Sequence, residues 1–420
     1  MTGGIVPLLA ALLVYGLFSS PTPDAPGWAE AAIGLLLVIA VGPARATAAA
    51  AGAWLAAPRP PAWAVVATLA LGWLLWVPLV RGTAAGWRLD DIVRDVLPLL
   101  YLFLPLFLLA GIRGSGPATG GMTTAAALLA AGLAAVGVLY AARFFLVAGV
   151  VPPYLEPAVP SDGLLYLSSS PAVLFAGILL PLVALEHVRP RPVALLSSAL
   201  ALAGGLLCLM ALAATLQRAA LGAAAAAFAA YAVCAARQRA GTVGPAALLC
   251  VAALWVAGDW LYRLWSLLVW KTRLVGGNQH FAEIAAAAEV AGRSASDALF
   301  GAGWGALVHT PAAPGFEVSY LHALPLYVLV KAGVLGLVAV AAYAASLVPV
   351  LAGLWRRNAA VFLATAAPLL LGAVVQPTFK FLTYGLLLAL PVLAAADGRP
   401  AGTAAAGAPP ARPGGSATAS

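Results

Sequence analysis

The chain is 420 residues long with a formal net charge of +8; 63% of its residues are hydrophobic, only 9% are charged, and its mean hydropathy is +1.00. A soluble protein has about 25% charged residues, so this composition cannot cover a water-facing surface and excludes soluble enzymes, nucleic-acid-binding domains and disordered proteins. The 43 glycines and 32 prolines are scattered through apolar runs, where membrane helices tolerate them. The sequence therefore predicts a multi-pass protein in contact with membrane lipids and without a nucleic-acid partner.

Apolar stretches follow one another along almost the whole chain. Because about 20 residues cross the hydrocarbon, we predict an all-α polytopic protein with about twelve transmembrane helices in a single domain, residues 1–396. The first stretch is predicted to be a retained span, since no Lys or Arg precedes it. Ala46–Ala57 keeps two interpretations, an interfacial segment or an extra crossing. The predicted spans are 5–18, 28–44, 62–80, 93–112, 122–147, 164–187, 193–215, 218–236, 244–270, 321–350, 359–375 and 380–396.

Arginine pairs in short connections indicate which span ends face the cytoplasm. Three pairs with few acidic neighbours are predicted to lie inside: Arg189 and Arg191, Arg237 and Arg239, Arg356 and Arg357. The opposite side then carries an equal share of the basic residues, for which topology gives no reason. We expect those residues to handle an anionic ligand at the outer face.

The longest predicted outer connection is Lys271–Tyr320. Within it Asn278 is predicted to cap a helix, which has two faces. The apolar face carries Phe281, Ile284, Ala288 and Ala291, and the opposite face carries His280, Glu283, Glu289 and Arg293. This pattern predicts an amphipathic helix that lies on the outer leaflet and covers a site there. Residues 397–420, rich in Ala, Pro, Gly and Ser, are predicted to form a disordered cytoplasmic tail.

Three short motifs occur in order in the second half of the chain. They are the segment Thr215–Gly222 around Arg218, the turn Phe300–Gly305, and His322 followed by Leu326, Gly333 and Gly336. In order and spacing they resemble the O-antigen ligase and O-antigen polymerase superfamily of membrane glycan-joining enzymes. The chain departs from that pattern at Ala323, where the family often has Asn. The resemblance covers roughly residues 200–350, and the preceding part matches only as generic spans.

The resemblance implies a function and a set of site residues. It implies a bacterial cytoplasmic (inner) membrane enzyme, with its active site facing the periplasm or exterior, that takes a glycan from undecaprenyl diphosphate. The acceptor is a sugar hydroxyl on a second lipid-linked chain in a polymerase, or on lipid A core or another carrier in a ligase. By resemblance, Arg218 and Arg273 hold the diphosphate and His322 positions or deprotonates the acceptor, without a metal or other cofactor. Arg293 and His280 compete with Arg273 for its role.

The chemistry of the residues agrees with those roles. A guanidinium stays charged and donates two parallel hydrogen bonds to a phosphate, and a histidine is a base near neutral pH. Direct displacement at the anomeric carbon inverts it. Lys331 lies within a span and needs a partner or a watery cavity, so structural and substrate-binding roles are both open. Gly301 and Gly303 are possible substrate-binding positions, although no strand precedes them as a nucleotide-binding loop requires.

Two other functions compete. A transporter or flippase of lipid-linked glycans also has about twelve spans and buried charges, but we find no internal repeat. A metal-dependent lipid-linked glycosyltransferase would need clustered carboxylates as hard oxygen ligands. The candidates for that are Asp24 and Glu30, or the group Asp90, Asp91 and Asp95, which neighbouring arginines are expected to neutralise.

Overall fold

The computed structural model describes residues 4–20, 27–56, 60–112, 123–149, 166–187, 191–238, 258–275, 280–309, 317–319 and 321–395. The first helices are α1 (Ile5–Phe18), α2 (Trp28–Val41), α3 (Pro43–Ala50), α4 (Ala62–Ala84), α5 (Leu89–Leu102), α6 (Leu104–Gly111), α7 (Thr124–Ala148), α8 (Pro171–His187), α9 (Pro192–Ala214) and α10 (Arg218–Gln238). They are followed by α11 (Gly258–Val275), α12 (His280–Gly292), α13 (Ala295–Phe300), α14 (Leu324–Arg357), α15 (Ala359–Val374) and α16 (Leu382–Ala395). A two-stranded antiparallel sheet of β1 (Val308–His309) and β2 (Glu317–Val318) precedes α14, and a 3-10 helix (Pro377–Lys380) precedes α16.

Two helices that are apolar on every side form the middle of the bundle. In α8 every residue from Pro171 to Leu179 is buried, and α16 is buried over almost its whole length. A helix that is apolar on every side can face either lipid or other helices, and the burial of these two shows that other helices surround them. By contrast α9 exposes large apolar side chains such as Val193 and Leu200, as expected of a helix that faces lipid.

The described residues contain five to seven helices that could cross a membrane. Five are long and apolar enough on their own: α4, α7, α9, α10 and α14. The pairs α2–α3 and α5–α6 qualify together but are bent by 82° and 55°. Four predicted spans appear as the shorter apolar helices α1, α8, α15 and α16. The multi-pass, all-α architecture is confirmed, whereas the predicted number of spans is not reached within the described part of the chain.

The extra crossing considered for Ala46–Ala57 does not appear as a separate spanning helix among the described residues. Gly42, with a φ of 84°, turns the chain between α2 and α3, and α3 has only 8 residues. At about 1.5 Å per residue it is roughly 12 Å long, which is too short for a hydrocarbon core of about 30 Å. Of the predicted span 244–270, residues 244–257 lie outside the described residues, as does the predicted tail 397–420.

The predicted loop helix corresponds in position to α12, but the predicted assignment of its faces is wrong. Glu283, expected on the polar face, is only 2% exposed, and Phe281, expected on the apolar face, is 87% exposed. The packed face is Glu283, Ala286, Ala287 and Val290, against residues that include Val308, Leu321 and Val330. Small side chains at this spacing let α12 approach the beginning of α14 closely.

Candidate functional site

The glycine turn, Phe300–Gly305, packs tightly against α4 and α14. Gly301, Gly303 and Gly305 have φ values of 75°, 90° and 88°, which side chains with a Cβ rarely adopt. A Cβ on Gly301 would lie 2.4 Å from the backbone nitrogen of Ala332. The backbone N–H groups from Gly301 to Ala306 all donate within the protein, to Asp297 O, Val330 O, Lys331 O, Pro78 O, Asp95 Oδ2 and Gly303 O in turn. These glycines allow close packing. The backbone N–H groups of the turn all donate to protein acceptors, so they are not directed at a ligand.

The turn forms hydrogen bonds at irregular points in two helices, α4 and α14. Pro78 in α4 has no N–H, so the carbonyl of Leu74 lacks its helical donor, and the indole Nε1 of Trp304 donates to that carbonyl at 2.9 Å. The second defect is Gly333 in α14, whose φ of 68° and ψ of −168° break the helix. Beside that break, the carbonyls of Val330 and Lys331 accept the turn's hydrogen bonds. Hydrogen bonds from the turn Phe300–Gly305 therefore satisfy the free carbonyls at both helix irregularities. These bonds hold the first part of α14 against α4.

A buried ionic cluster surrounds Asp95 in α5, whose side chain is 0% exposed. Its carboxylate accepts from the backbone N–H of Gly305 and from the hydroxyl of Tyr327, each at 2.9 Å, and from Lys331 Nζ. Lys380 Nζ lies 3.8 Å away and is over the Tyr327 ring. Lys331 also donates to the carbonyl of Ala306. The partner that a lysine within a span requires is thus Asp95, which favours the structural role of Lys331.

The carboxylates of Asp90, Asp91 and Asp95 do not point to one common site. Asp91 pairs with Arg94 at 2.7 Å, and Asp90 lies 3.7 Å from Arg88 at the surface. Arg81, expected to neutralise this group, instead binds Asp297, Ser296 and the carbonyl of Gly301. Among the described residues no three His, Cys, Asp or Glu side chains are grouped so that they could share a metal ion. Glu30 accepts from Ser19 Oγ and the Gly27 N–H at the start of α2, and Asp24 lies outside the described residues.

His322 lies just before α14, against Glu283 of α12. Its backbone N–H donates to Glu283 Oε2 at 3.1 Å, and its ring Nδ1 contacts Glu283 Oε1. The carboxylate is 2% exposed, whereas the imidazole is 42% exposed. A histidine held in this way at a partly open position suits proton transfer. Sequence reasoning missed Glu283; the available signal was the row Ala286, Ala287 and Val290, which marks its face as the packed one.

Arg218 begins α10 and is half-buried. The preceding turn holds Leu216 at a φ of 51°, and it is the one non-glycine residue with positive φ in the described ranges. A branched side chain adopts that conformation only when its surroundings impose it, and Leu216 is buried against Leu264 of α11. Leu264 of α11 therefore packs against the turn that precedes Arg218.

Two other predicted site residues, Arg273 and Arg293, are exposed. Arg273 is in the last turn of α11 and is exposed. Arg293 follows α12 and lies 3.8 Å from Glu289, in a surface pair that contributes little to stability. The backbone of His280 begins α12, while its side chain lies outside the described part of the chain.

The 3-10 helix Pro377–Lys380 takes part in two polar sites. Gln217, next to Arg218, lines a pocket together with Thr378 of the 3-10 helix. Lys380 of that 3-10 helix approaches Asp95, which binds Lys331. The 3-10 helix therefore contributes one residue to the pocket that Gln217 lines and another to the ionic cluster of Asp95.

The pocket that Gln217 lines has a volume of about 10 Å³, enough for about one water molecule. Its lining combines the apolar side chains of residues such as Leu174, Leu212 and Leu371 with five hydroxyl or amide side chains: Ser169, Ser170, Gln217, Gln376 and Thr378. Neither His322 nor Arg273 belongs to its lining. The described residues therefore do not bring the predicted histidine and arginines together in this one pocket.

Comparison with known proteins does not identify a relative: no family model, no curated protein and no solved structure matches this chain.

Proposed function

We propose that this protein is a membrane glycan ligase or polymerase. It transfers a saccharide from polyprenyl (undecaprenyl) diphosphate to an acceptor sugar hydroxyl on the outer face of the bacterial cytoplasmic membrane, with inversion and without a metal. The observation that carries the proposal is His322, half-exposed and held by Glu283 just before α14. The motif order and the membrane architecture support the same assignment.

The chemistry follows from these groups. The acceptor hydroxyl gives its proton to Nε2 of His322, and its oxygen forms a bond to the anomeric carbon of the donor sugar. The bond from that carbon to the diphosphate oxygen breaks, and its electron pair leaves on the diphosphate. Arg218, with Arg273 or Arg293 as the second guanidinium, stabilises the charge that grows there. Positioned base catalysis of this kind contributes about 10²–10⁴-fold to the rate.

A transporter or flippase of lipid-linked glycans is the second candidate, and the break in α14 at Gly333 favours it. Interrupted helices and buried charges at mid-membrane are typical of transporters, and Asp95 with Lys331 lies beside that break. The hydrogen bonds of the glycine turn close this break with protein groups, which weighs against a substrate site there.

The test uses purified full-length protein in lipid nanodiscs. Lipid-linked glycans extracted from a strain that lacks the gene serve as both donor and acceptor. The proposal predicts longer glycans on a gel together with release of undecaprenyl diphosphate, and about a hundredfold or greater loss of rate for His322→Ala. His309→Ala is the control, because His309 lies in the same loop but is 76% exposed and paired with Glu317.

Two results would contradict the proposal. The catalytic assignment is wrong if His322→Ala joins glycans at the wild-type rate. The transporter is favoured if the protein joins no glycans but moves the same extracted lipid across the bilayer of a proteoliposome.

A further inference from the structure

We propose that Glu283 is a positioning residue that sets the tautomer and orientation of the His322 imidazole for proton transfer. This inference rests on the proposed function for its kinetic consequence, but its structural part can be measured without any activity.

Both oxygens of the Glu283 carboxylate contact His322. Glu283 Oε2 accepts from the backbone N–H of His322 at 3.1 Å, and Glu283 Oε1 faces its ring Nδ1. A carboxylate has no proton to donate at neutral pH, so Nδ1 must carry the hydrogen in this contact. The lone pair of the neutral ring is then on Nε2. The carboxylate therefore selects the tautomer in which the outer nitrogen is the base.

The position of Glu283 also limits the movement of the ring. The carboxylate is 2% exposed and lies on the face of α12 that packs through Ala287, which is 0% exposed. Glu283 binds both the backbone N–H and the ring Nδ1 of His322. Rotation of the imidazole would break the contact to Nδ1 while the backbone contact holds the carboxylate in place, so rotation is disfavoured. The ring is 42% exposed, so this anchoring acts on a group that substrate can reach.

Electrostatics favour the same role. As His322 takes a proton its ring becomes positive, and a buried carboxylate beside it stabilises that charge more strongly than a solvated one would. This is the function of the buried acid in a Ser-His-Asp triad, where the acid orients the histidine and stabilises the imidazolium without itself becoming protonated. In this chain the supporting acid comes from the loop helix, 39 residues before the histidine in sequence.

The substitution Glu283→Gln keeps the shape but leaves one acceptor oxygen and one NH₂ group. If the oxygen stays on the backbone N–H, the NH₂ group faces Nδ1, which must then accept, and the proton moves to Nε2. The base is lost in that arrangement. We expect kcat to fall by about a hundredfold or more, with KM for the lipid-linked donor changed less than threefold.

The direct measurement is the ¹⁵N NMR spectrum of histidine-labelled protein in nanodiscs. The chain has only 4 histidines, and a His322→Gln variant identifies the signal of His322. We expect the Nδ1–H tautomer in the native protein and a shift toward the Nε2–H tautomer in Glu283→Gln. The matched control is Glu317→Gln, which removes the charge of an exposed carboxylate–histidine pair, with 3.0 Å between Glu317 and His309, in the same loop.

A double variant separates positioning from general damage to the fold. If Glu283 acts through His322, then His322→Ala with Glu283→Gln is no slower than His322→Ala alone. Glu283→Asp, which keeps the charge, should restore part of the rate lost in Glu283→Gln. An unchanged tautomer in Glu283→Gln, or a double variant much slower than His322→Ala, overturns the proposal. Absence of glycan joining with the expected tautomers would refute the proposed function and leave the pairing intact.

Discussion

Removal of the Asp95 carboxylate should strongly destabilise the protein. In Asp95→Ala the buried ammonium of Lys331 loses its counter-ion, and the N–H of Gly305 and the hydroxyl of Tyr327 lose their acceptor. Breaking one partner of a buried ion pair costs about 3–5 kcal/mol, and each unsatisfied neutral donor adds about 1 kcal/mol or more. These contributions overlap, so we expect about 4 kcal/mol, or roughly a thousandfold decrease in the folded-to-unfolded ratio.

The assay is denaturant unfolding in detergent micelles, followed by tryptophan fluorescence. Asp90→Ala is the control, since Asp90 is 88% exposed and 3.7 Å from its arginine, a geometry in which removal of the carboxylate changes stability by about 0–1 kcal/mol. The double variant Asp95→Asn with Lys331→Met should recover part of the lost stability, because it also removes the unpaired ammonium. If Asp95→Ala is no less stable than Asp90→Ala, the cluster does not hold α5, the glycine turn and α14 together.

Two more predictions concern the glycine turn and the diphosphate contact. Gly301→Ala places a Cβ 2.4 Å from Ala332 N at a φ of 75°, so it should lower the free energy of unfolding by about 2 kcal/mol or more. In the control Gly34→Ala nothing lies within 4 Å of the added Cβ, so stability should not fall. Equal unfolding midpoints for the two variants would show that tight packing at Gly301 is not required. Arg218→Lys keeps the charge but loses the planar fork, so glycan joining should fall about tenfold or more, while Arg45→Lys, whose arginine donates to the carbonyl of Gly111, should join glycans at the normal rate. A rate for Arg218→Lys equal to the wild type would remove Arg218 from the diphosphate site.

Several features of the fold could be predicted because they depend on local composition. Charged residues are too few to cover a soluble surface, so membrane insertion follows from composition alone. Apolar residues at helical spacing predict a helix near residue 280, a long apolar run predicts one after His322, and helices occupy both positions as α12 and α14. The number of spans was not predictable in this way, because apolar runs such as α1 and α16 form helices of only 14 residues and a mean hydropathy does not report where a helix ends.

Other features depend on which elements meet in space. Phe281 and Glu283 were assigned to faces of α12 by polarity, but in a membrane protein an apolar side chain is stable outside the bundle and a carboxylate is stable inside it when it has donors. The glycine turn was read as possible substrate binding because its spacing alone does not show what accepts its amide hydrogens. Only the packing of α4 and α14 decides that those hydrogens are used by carbonyls of the protein.

The sequence by itself determined that this chain forms apolar helices in a membrane. Composition decides whether a segment is stable in lipid, and a helix satisfies the backbone hydrogen bonds of that segment internally. The tertiary structure alone decided that Lys331 meets Asp95 and that His322 meets Glu283. Each pair joins residues far apart in the chain, and a charge in an apolar environment is stable only beside the partner that folding brings to it.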